Sequence, residues 1–375
     1  MTSPISILLD YQIAARHCPG ALVHIERAGQ TLARHAAGRV GADNDTPMHA
    51  GVRFRIASLT KPVVTLAALM LAGEGRLDLD VAVGEYVPVL RDLWLKGGQM
   101  PRAAPTVRDL MRHTSGLAYP QEIADTGLRA TWAQAGITPA MAGLDSAGLL
   151  QRLARLPLVA EPGTIFRYGY STDVLGCIVE HIEGVSLGEA LQRRIFTPLR
   201  MQHTNFEIAA DEQANPDSLA IAHTEDGAWH AMIPPIGQRQ PGQPWMDSGG
   251  GGLISTLDDY VAFARLLANG GVVGGERLLS EKLFAELARN QLPEGADGPA
   301  GYCGPGFGFG LGLAVRHDWG ASAMPCTAGE MTWSGISGTA LFVQPREQWF
   351  AVLFSANMSS RMMARMEFRR AAGRL

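Results

Sequence analysis

The spacing of apolar positions changes several times along the chain. From Pro4 to His17 they recur at helical intervals. From Gly20 to Gly38 they alternate, Leu22, His24 and Glu26 against Val23, Ile25 and Arg27, and the pattern breaks at Ala28-Gly29, which predicts a hairpin. From Ser58 to Gly73 apolar residues run without alternation, so a buried helix is predicted there, stopped by Gly73 and Gly75. Helical pieces between Gly/Pro loops follow over Thr106–His113, Ser146–Leu156, Thr172–Glu183, Leu187–Phe196 and Thr256–Asn269. The pattern returns to short, Gly-punctuated strands over Gly306–Val315, Thr339–Val343 and Trp349–Phe354, and Ser359–Gly373 reads as a closing helix. Strands at both ends with helices between predict an α/β domain built from residues 1–79 and 298–375, with a mainly helical domain, 80–297, inserted. The cleft between two such parts is the natural place for a site. The Pro/Gly-rich loop Pro234–Gly252 is expected to wall it.

Composition narrows the function. The 375 residues are 46% hydrophobic and 18% charged with a net charge of -4, enough apolar material for a large core and too few charges for disorder or a coiled coil. That balance lacks the basic face a nucleic acid would need, which leaves small molecules or proteins as the expected ligands. The chain pattern sets no oligomeric state. Cys18, Cys177, Cys303 and Cys326 form no C-x-x-C pair, and the ten histidines show no H-E-x-x-H grouping, so no metal and no cofactor are expected. Met1–Asp10 lacks a basic leader, and the longest apolar stretch, Pro62–Gly73, falls short of the ~18 residues of a membrane span. A cytoplasmic protein, free of the membrane, is expected.

The candidate chemistry sits in Ser58-Leu59-Thr60-Lys61. Residues three apart share a helix face, so the Lys61 amine can reach the Ser58 hydroxyl. A helix N-terminus and burial both push a lysine toward the neutral amine, the base that a serine nucleophile requires. Of the 32 basic residues only Lys61, Lys96 and Lys282 are lysine, and arginine, which keeps its proton, fills the rest. A lysine placed inside an apolar helix is therefore a pointed choice. Phe166-Arg167-Tyr168-Gly169-Tyr170 places two tyrosines before a helix, and a phenol beside a cation loses its proton more readily. Trp333-Ser334-Gly335-Ile336 is expected to open a strand along which a substrate can lie.

Ser58-x-x-Lys61, Tyr168 and Trp333-x-Gly335, in that order, resemble the serine β-lactamase and penicillin-binding protein superfamily. The class C β-lactamase-like branch and its family VIII carboxylesterases are the nearest in pattern. Val107–Leu117 and Gly249–Thr256 carry supporting phrases, and the resemblance runs from about Gly20 to Leu353. It implies an α+β fold, an antiparallel sheet flanked by helices with a helical domain beside it. It implies Ser58 as the acylated nucleophile, Lys61 and Tyr168 as the proton-transfer group, and the backbone N–H groups of Ser58 and Ile336 as the oxyanion hole. Two departures bear on the substrate. Trp333 stands where the lactamase-type motif starts with a cation, and Tyr170 stands where Tyr-x-Asn has its amide. Both favour an ester, of small to medium acyl group, over a β-lactam or a D-amino-acid peptide, with acyl transfer to an alcohol as a variant. Trp333, Gly335, Tyr170, Tyr119, Trp132 and Trp245 are the expected pocket walls. Three decoys are set aside. Gly184-Val185-Ser186-Leu187-Gly188 fits a nucleophile elbow, yet helical text precedes it, so Ser186 reads as a helix cap. His113 reads as a histidine ending a helix with its charge suited to the dipole, and Gly304–Gly312 as strand rather than dinucleotide loop.

Overall fold

The computed structural model describes all residues except 1–3, 41–44, 139–140, 142, 208–218, 221–222, 226–227, 231–241, 318–319, 323 and 356–357. Its centre is a seven-stranded sheet made from the two ends of the chain. The N-terminal hairpin gives β1 (Gly20–Arg27) and β2 (Gln30–Gly38), turning where Ala28 and Gly29 take positive φ of 48° and 79°. A separate short strand, β3 (Arg53–Arg55), pairs with β4 (Ile254–Thr256) outside that sheet. The C-terminal part supplies β5 (Phe307–Phe309), β6 (Ala314–Arg316), β7 (Met331–Ser334), β8 (Thr339–Gln344) and β9 (Trp349–Ser355). The spatial order is β5-β6-β7-β8-β9-β1-β2, antiparallel throughout, with Ala21 opposite Ser355 and Arg27 opposite Trp349.

Helices cover both faces, which is why β1 and β9 are buried along almost their whole length and β9 reads as an apolar run. On one face lie α1 (Pro4–Ala14) and the last helix, α8 (Arg361–Ala372), whose Phe368 packs on Phe342. On the other lies α7 (Leu257–Ala268), with Tyr260 against Phe354 and Arg265 paired to Glu26 of β1. The proposed boundary at 297 therefore separates α7 from the sheet on which it packs. The helical part includes α3 (Val107–Met111), α4 (Ser146–Leu153), α5 (Ser171–Glu183) and α6 (Leu187–Leu191). After α6 the chain continues through a π-helical segment, Gln192–Phe196. No helix of the described residues is long and apolar enough to cross a membrane.

The predicted helix from Ser58 starts as a 3-10 turn, Ala57–Leu59, and becomes α2 (Thr60–Gly73). Nearly every residue of α2 is buried, so it runs through the core as an apolar rod and shows no polar face. Its start is tied down by Tyr260, which donates to the Leu59 carbonyl at 2.9 Å, and by Thr60 Oγ1, which accepts from the Leu253 amide at 3.1 Å. Trp333 is placed differently from expectation: Met331–Ser334 is the strand, so the Trp-Ser-Gly motif closes β7 and turns into β8. This turn lies against Ile56, just ahead of the nucleophile. A Cβ on Gly335 would sit 2.4 Å from the Ile56 carbonyl oxygen, so only glycine allows the approach.

Candidate active site

Three elements converge where β3 runs into α2. Ala57, immediately before Ser58, holds a left-handed φ of 47°. An alanine there is strained by about 1–2 kcal/mol, a conformation kept only where the surroundings enforce it. The turn leaves Ser58 half-buried at the wall of a cavity of about 570 Å3, while Lys61, three residues on, is fully buried. The Lys61 ammonium has three hydrogens and finds three acceptors. Nζ donates to the Gly250 carbonyl at 2.6 Å, to Ser58 Oγ at 3.4 Å and to Tyr119 Oη at 3.4 Å. It also lies over the Tyr168 ring, 4.5 Å from the centroid.

The two tyrosines exchange part of their expected parts. Lys61 meets the face of Tyr168, and its hydrogen bond goes to the hydroxyl of Tyr119. Tyr168 Oη in turn accepts from Trp333 Nε1 at 3.4 Å. Tyr119, expected only as a pocket wall, is thus in direct contact with the base. Its phenol is pushed well above the usual range by burial first and by the Asp173 charge second, so it stays protonated at neutral pH. The sequence held one clue to it: Tyr119 follows Gly116, whose φ of 83° turns the chain after α3 toward the cleft.

Aromatic and small residues build the cavity wall. Tyr119, Tyr168, Tyr170, Tyr302 and Trp333 form one side, and Gly335 and Ile336 form the rim beside Ser58. Gly250 and Gly251 face them from the loop expected to wall the cleft, of which residues 234–241 lie outside the described residues. Trp132 and Trp245 are not among the lining residues. Trp132 stacks behind Tyr170 at 6.1 Å and donates to the Pro157 carbonyl, and the Trp245 indole donates to Asp247 Oδ1 at 3.1 Å. Arg361 and Arg365 of α8 reach the wall, which sequence spacing did not indicate, since both lie within a helix of the opposite sheet face. Arg365 is engaged by Ser334 Oγ and the Tyr302 carbonyl.

His113 differs from expectation in charge. It sits past the end of α3 with a φ of 57°, fully buried among Phe166, Tyr168 and Phe309. Burial, and then the Lys61 charge, holds its imidazole well below the usual range, so it is neutral and does not serve a helix dipole as a cation. Neither ring nitrogen has a hydrogen-bond partner, which leaves no triad for it to complete. Ser186 is exposed and caps α6 by accepting from the Glu189 amide at 3.2 Å. No group of three or more His, Cys, Asp and Glu among the described residues could hold a metal.

The chain matches the Beta-lactamase family over residues 8–374. It is 31% identical to esterase EstB of Burkholderia gladioli over 373 residues, covering 95% of this chain and 90% of that protein. Among solved structures, EstCE1, described as a hydrolase with promiscuous acyltransferase activity, superposes with a TM-score of 0.86 at 26% identity, covering 99% of this chain and 97% of the other. Unliganded simvastatin synthase from Aspergillus terreus shares the fold, with a TM-score of 0.79 at 23% identity over 100% of this chain and 98% of its own. With the expected antiparallel sheet, flanking helices and cleft all present, this chain belongs to the Beta-lactamase family.

Proposed function

We propose that the protein is a serine hydrolase that cleaves carboxylic esters of small to medium acyl groups through a Ser58 acyl-enzyme. The observation that carries this reading is a fully buried Lys61 within 3.4 Å of the Ser58 hydroxyl, opening on an aromatic cavity with Trp333 at the end of β7. In the first half-reaction the Lys61–Tyr168 group takes the Ser58 proton as Oγ bonds to the ester carbonyl carbon. The negative charge on the carbonyl oxygen falls to the N–H groups of Ser58 and Ile336, each worth roughly 3 kcal/mol in such sites. The C–O bond then breaks, and the alcohol leaves with the proton. Water repeats the sequence on the acyl-enzyme and frees the acid. Tyr119, a phenol at neutral pH, holds the amine in place and relays no phenolate.

Similarity to an esterase and to a hydrolase with acyltransferase activity supports this order of readings over a β-lactamase or D-amino-acid peptidase. Acyl transfer to an alcohol uses the same intermediate and is the second reading, favoured by the described activity of EstCE1. A catalytically silent binding protein would not need Lys61 stripped of water next to Ser58. A cytoplasmic setting belongs to the same proposal, supported by four unpaired cysteines, three of them buried.

The test is turnover of p-nitrophenyl acetate and butyrate by the wild type, Ser58→Ala and Ser186→Ala. Ser58→Ala is expected to lose at least about 10³-fold in kcat/KM and Ser186→Ala to stay near wild type. Activity should rise from neutral toward alkaline pH. An active Ser58→Ala, or nitrocefin turned over more efficiently than either ester, overturns the reading.

A further inference from the structure

We propose that Asp173 is the counter-charge of Lys61 and, through Ser248 and Gly250, the positioning residue that fixes where its ammonium sits. The inference rests on the proposed role of Lys61 and adds a residue that no part of that reading requires.

Asp173 lies in the first turn of α5 and is completely buried. Its Oδ1 accepts from Ser248 Oγ at 2.6 Å and from the Gly250 amide at 2.9 Å. The carbonyl of that same Gly250 accepts from Lys61 Nζ at 2.6 Å. One residue of backbone therefore separates carboxylate from ammonium, with its N–H turned to the anion and its C=O to the cation. The peptide dipoles of the loop line up with the field between the two charges. Oδ2 has no hydrogen-bond partner, and a Cβ on Gly250 would come within 2.3 Å of it. Only a glycine lets the loop lie this close.

Electrostatics agrees with the geometry. A buried ammonium is costly unless a countercharge faces it. The uncharged groups around it cannot serve. His113 is held neutral, and burial pushes the Tyr119 and Tyr170 phenols and the Cys177 thiol upward. Tyr168 presents its ring to the amine. The Asp173 carboxyl is itself raised by burial, and the charge of Lys61 is the largest influence that draws it back, followed by Ser248 and the Gly250 amide. The field is mutual: what Lys61 does for the Asp173 anion, Asp173 does for the Lys61 cation.

The decisive variant is Asp173→Asn, which keeps an oxygen for Ser248 and Gly250 and removes the charge. The acid limb of the kcat/KM profile for p-nitrophenyl butyrate should move to lower pH by about one unit, with kcat on the plateau within a few-fold of wild type. An unmoved or upward-moved limb overturns the proposal, even if kcat falls, because a purely structural Asp173 would change the plateau alone. A second measurement needs neither activity nor the variant. With only three lysines in the chain, [ε-13C]lysine labelling gives three Cε resonances, and Lys61 is the one missing in Lys61→Arg. In the wild type that resonance should hold the charged-amine position at pH 7, and the neutral-amine position there overturns the proposal. Loss of ester turnover with a normal Lys61 titration would instead strike the proposed hydrolase and leave the charge coupling standing.

Discussion

Two buried charge pairs lie on different faces of this molecule, and they are built in opposite ways. Glu330 and Arg369, on the face of the sheet covered by α8, touch directly. Arg369 Nε donates to Oε1 at 2.8 Å and Nη2 donates to Oε2, while the guanidinium packs over the Trp349 ring at 4.6 Å. Lys61 and Asp173, in the cleft, never touch, and the loop residue Gly250 stands between them. The direct pair uses a cation that cannot give up its proton and holds both partners in a rigid fork. The separated pair uses one that can, and leaves one of its two longer contacts, at 3.4 Å, for a serine. A contact pair fastens structure; a pair kept apart by backbone leaves a proton free to move.

The sharpest way to break this comparison is to exchange the cation. Lys61→Arg keeps the charge and the burial but cannot accept a proton, so ester turnover should fall by about 10² to 10⁴-fold. Assay of the purified, folded variant settles it, and a variant as active as wild type would end the distinction between the two pairs. Next in size is Glu330→Gln, which strands the Arg369 guanidinium. It should cost about 3–5 kcal/mol of stability by denaturant unfolding while kcat/KM at a temperature where the variant is folded stays within about twofold. A large loss of kcat/KM would mean that the structural pair also serves the site. The smallest effect sharpens the picture of the surroundings of Lys61. His113 is depressed in the folded state, so the stability it contributes is complete above the unfolded value of about 6.5 and is lost as pH falls below it. Relative to His113→Asn, the wild type should lose up to about 1.4 kcal/mol per pH unit below that point, read from urea curves between pH 7 and 5. Parallel curves would show that the ring is not held neutral.

Much of the local architecture was legible because it depends on near neighbours. The hairpin at Ala28-Gly29, the helix after Ser58 and the cap at Ser186 are all decided within a few residues. Ser58 and Lys61 belong to that class, since a three-residue spacing brings them together in any helical turn. What escaped was set by packing between distant segments. Tyr119 reaches Lys61 only because the turn after α3 folds over the start of α2, and no spacing rule links residues 61 and 119. Asp173 reads in sequence as an ordinary acidic residue near a helix N-terminus, and burial against the glycine loop alone reveals it. His113 was assigned a charge from its place past a helix end, whereas the three aromatic rings around it exclude the water such a charge needs. Trp132 and Trp245 looked like walls because large aromatics often are, yet each indole is satisfied elsewhere.

The strand pairing of Gly20–Arg27 with Trp349–Ser355 has a consequence for biosynthesis. The middle of the sheet joins the beginning of the polypeptide to nearly its end, a contact of very long sequence separation whose closure is slow. A nascent chain still tethered to the ribosome lacks this ladder, so α7 lacks the strand on which it packs until translation nearly finishes. Premature termination before residue 349 should therefore yield an insoluble, chaperone-bound product in place of a weakened catalyst.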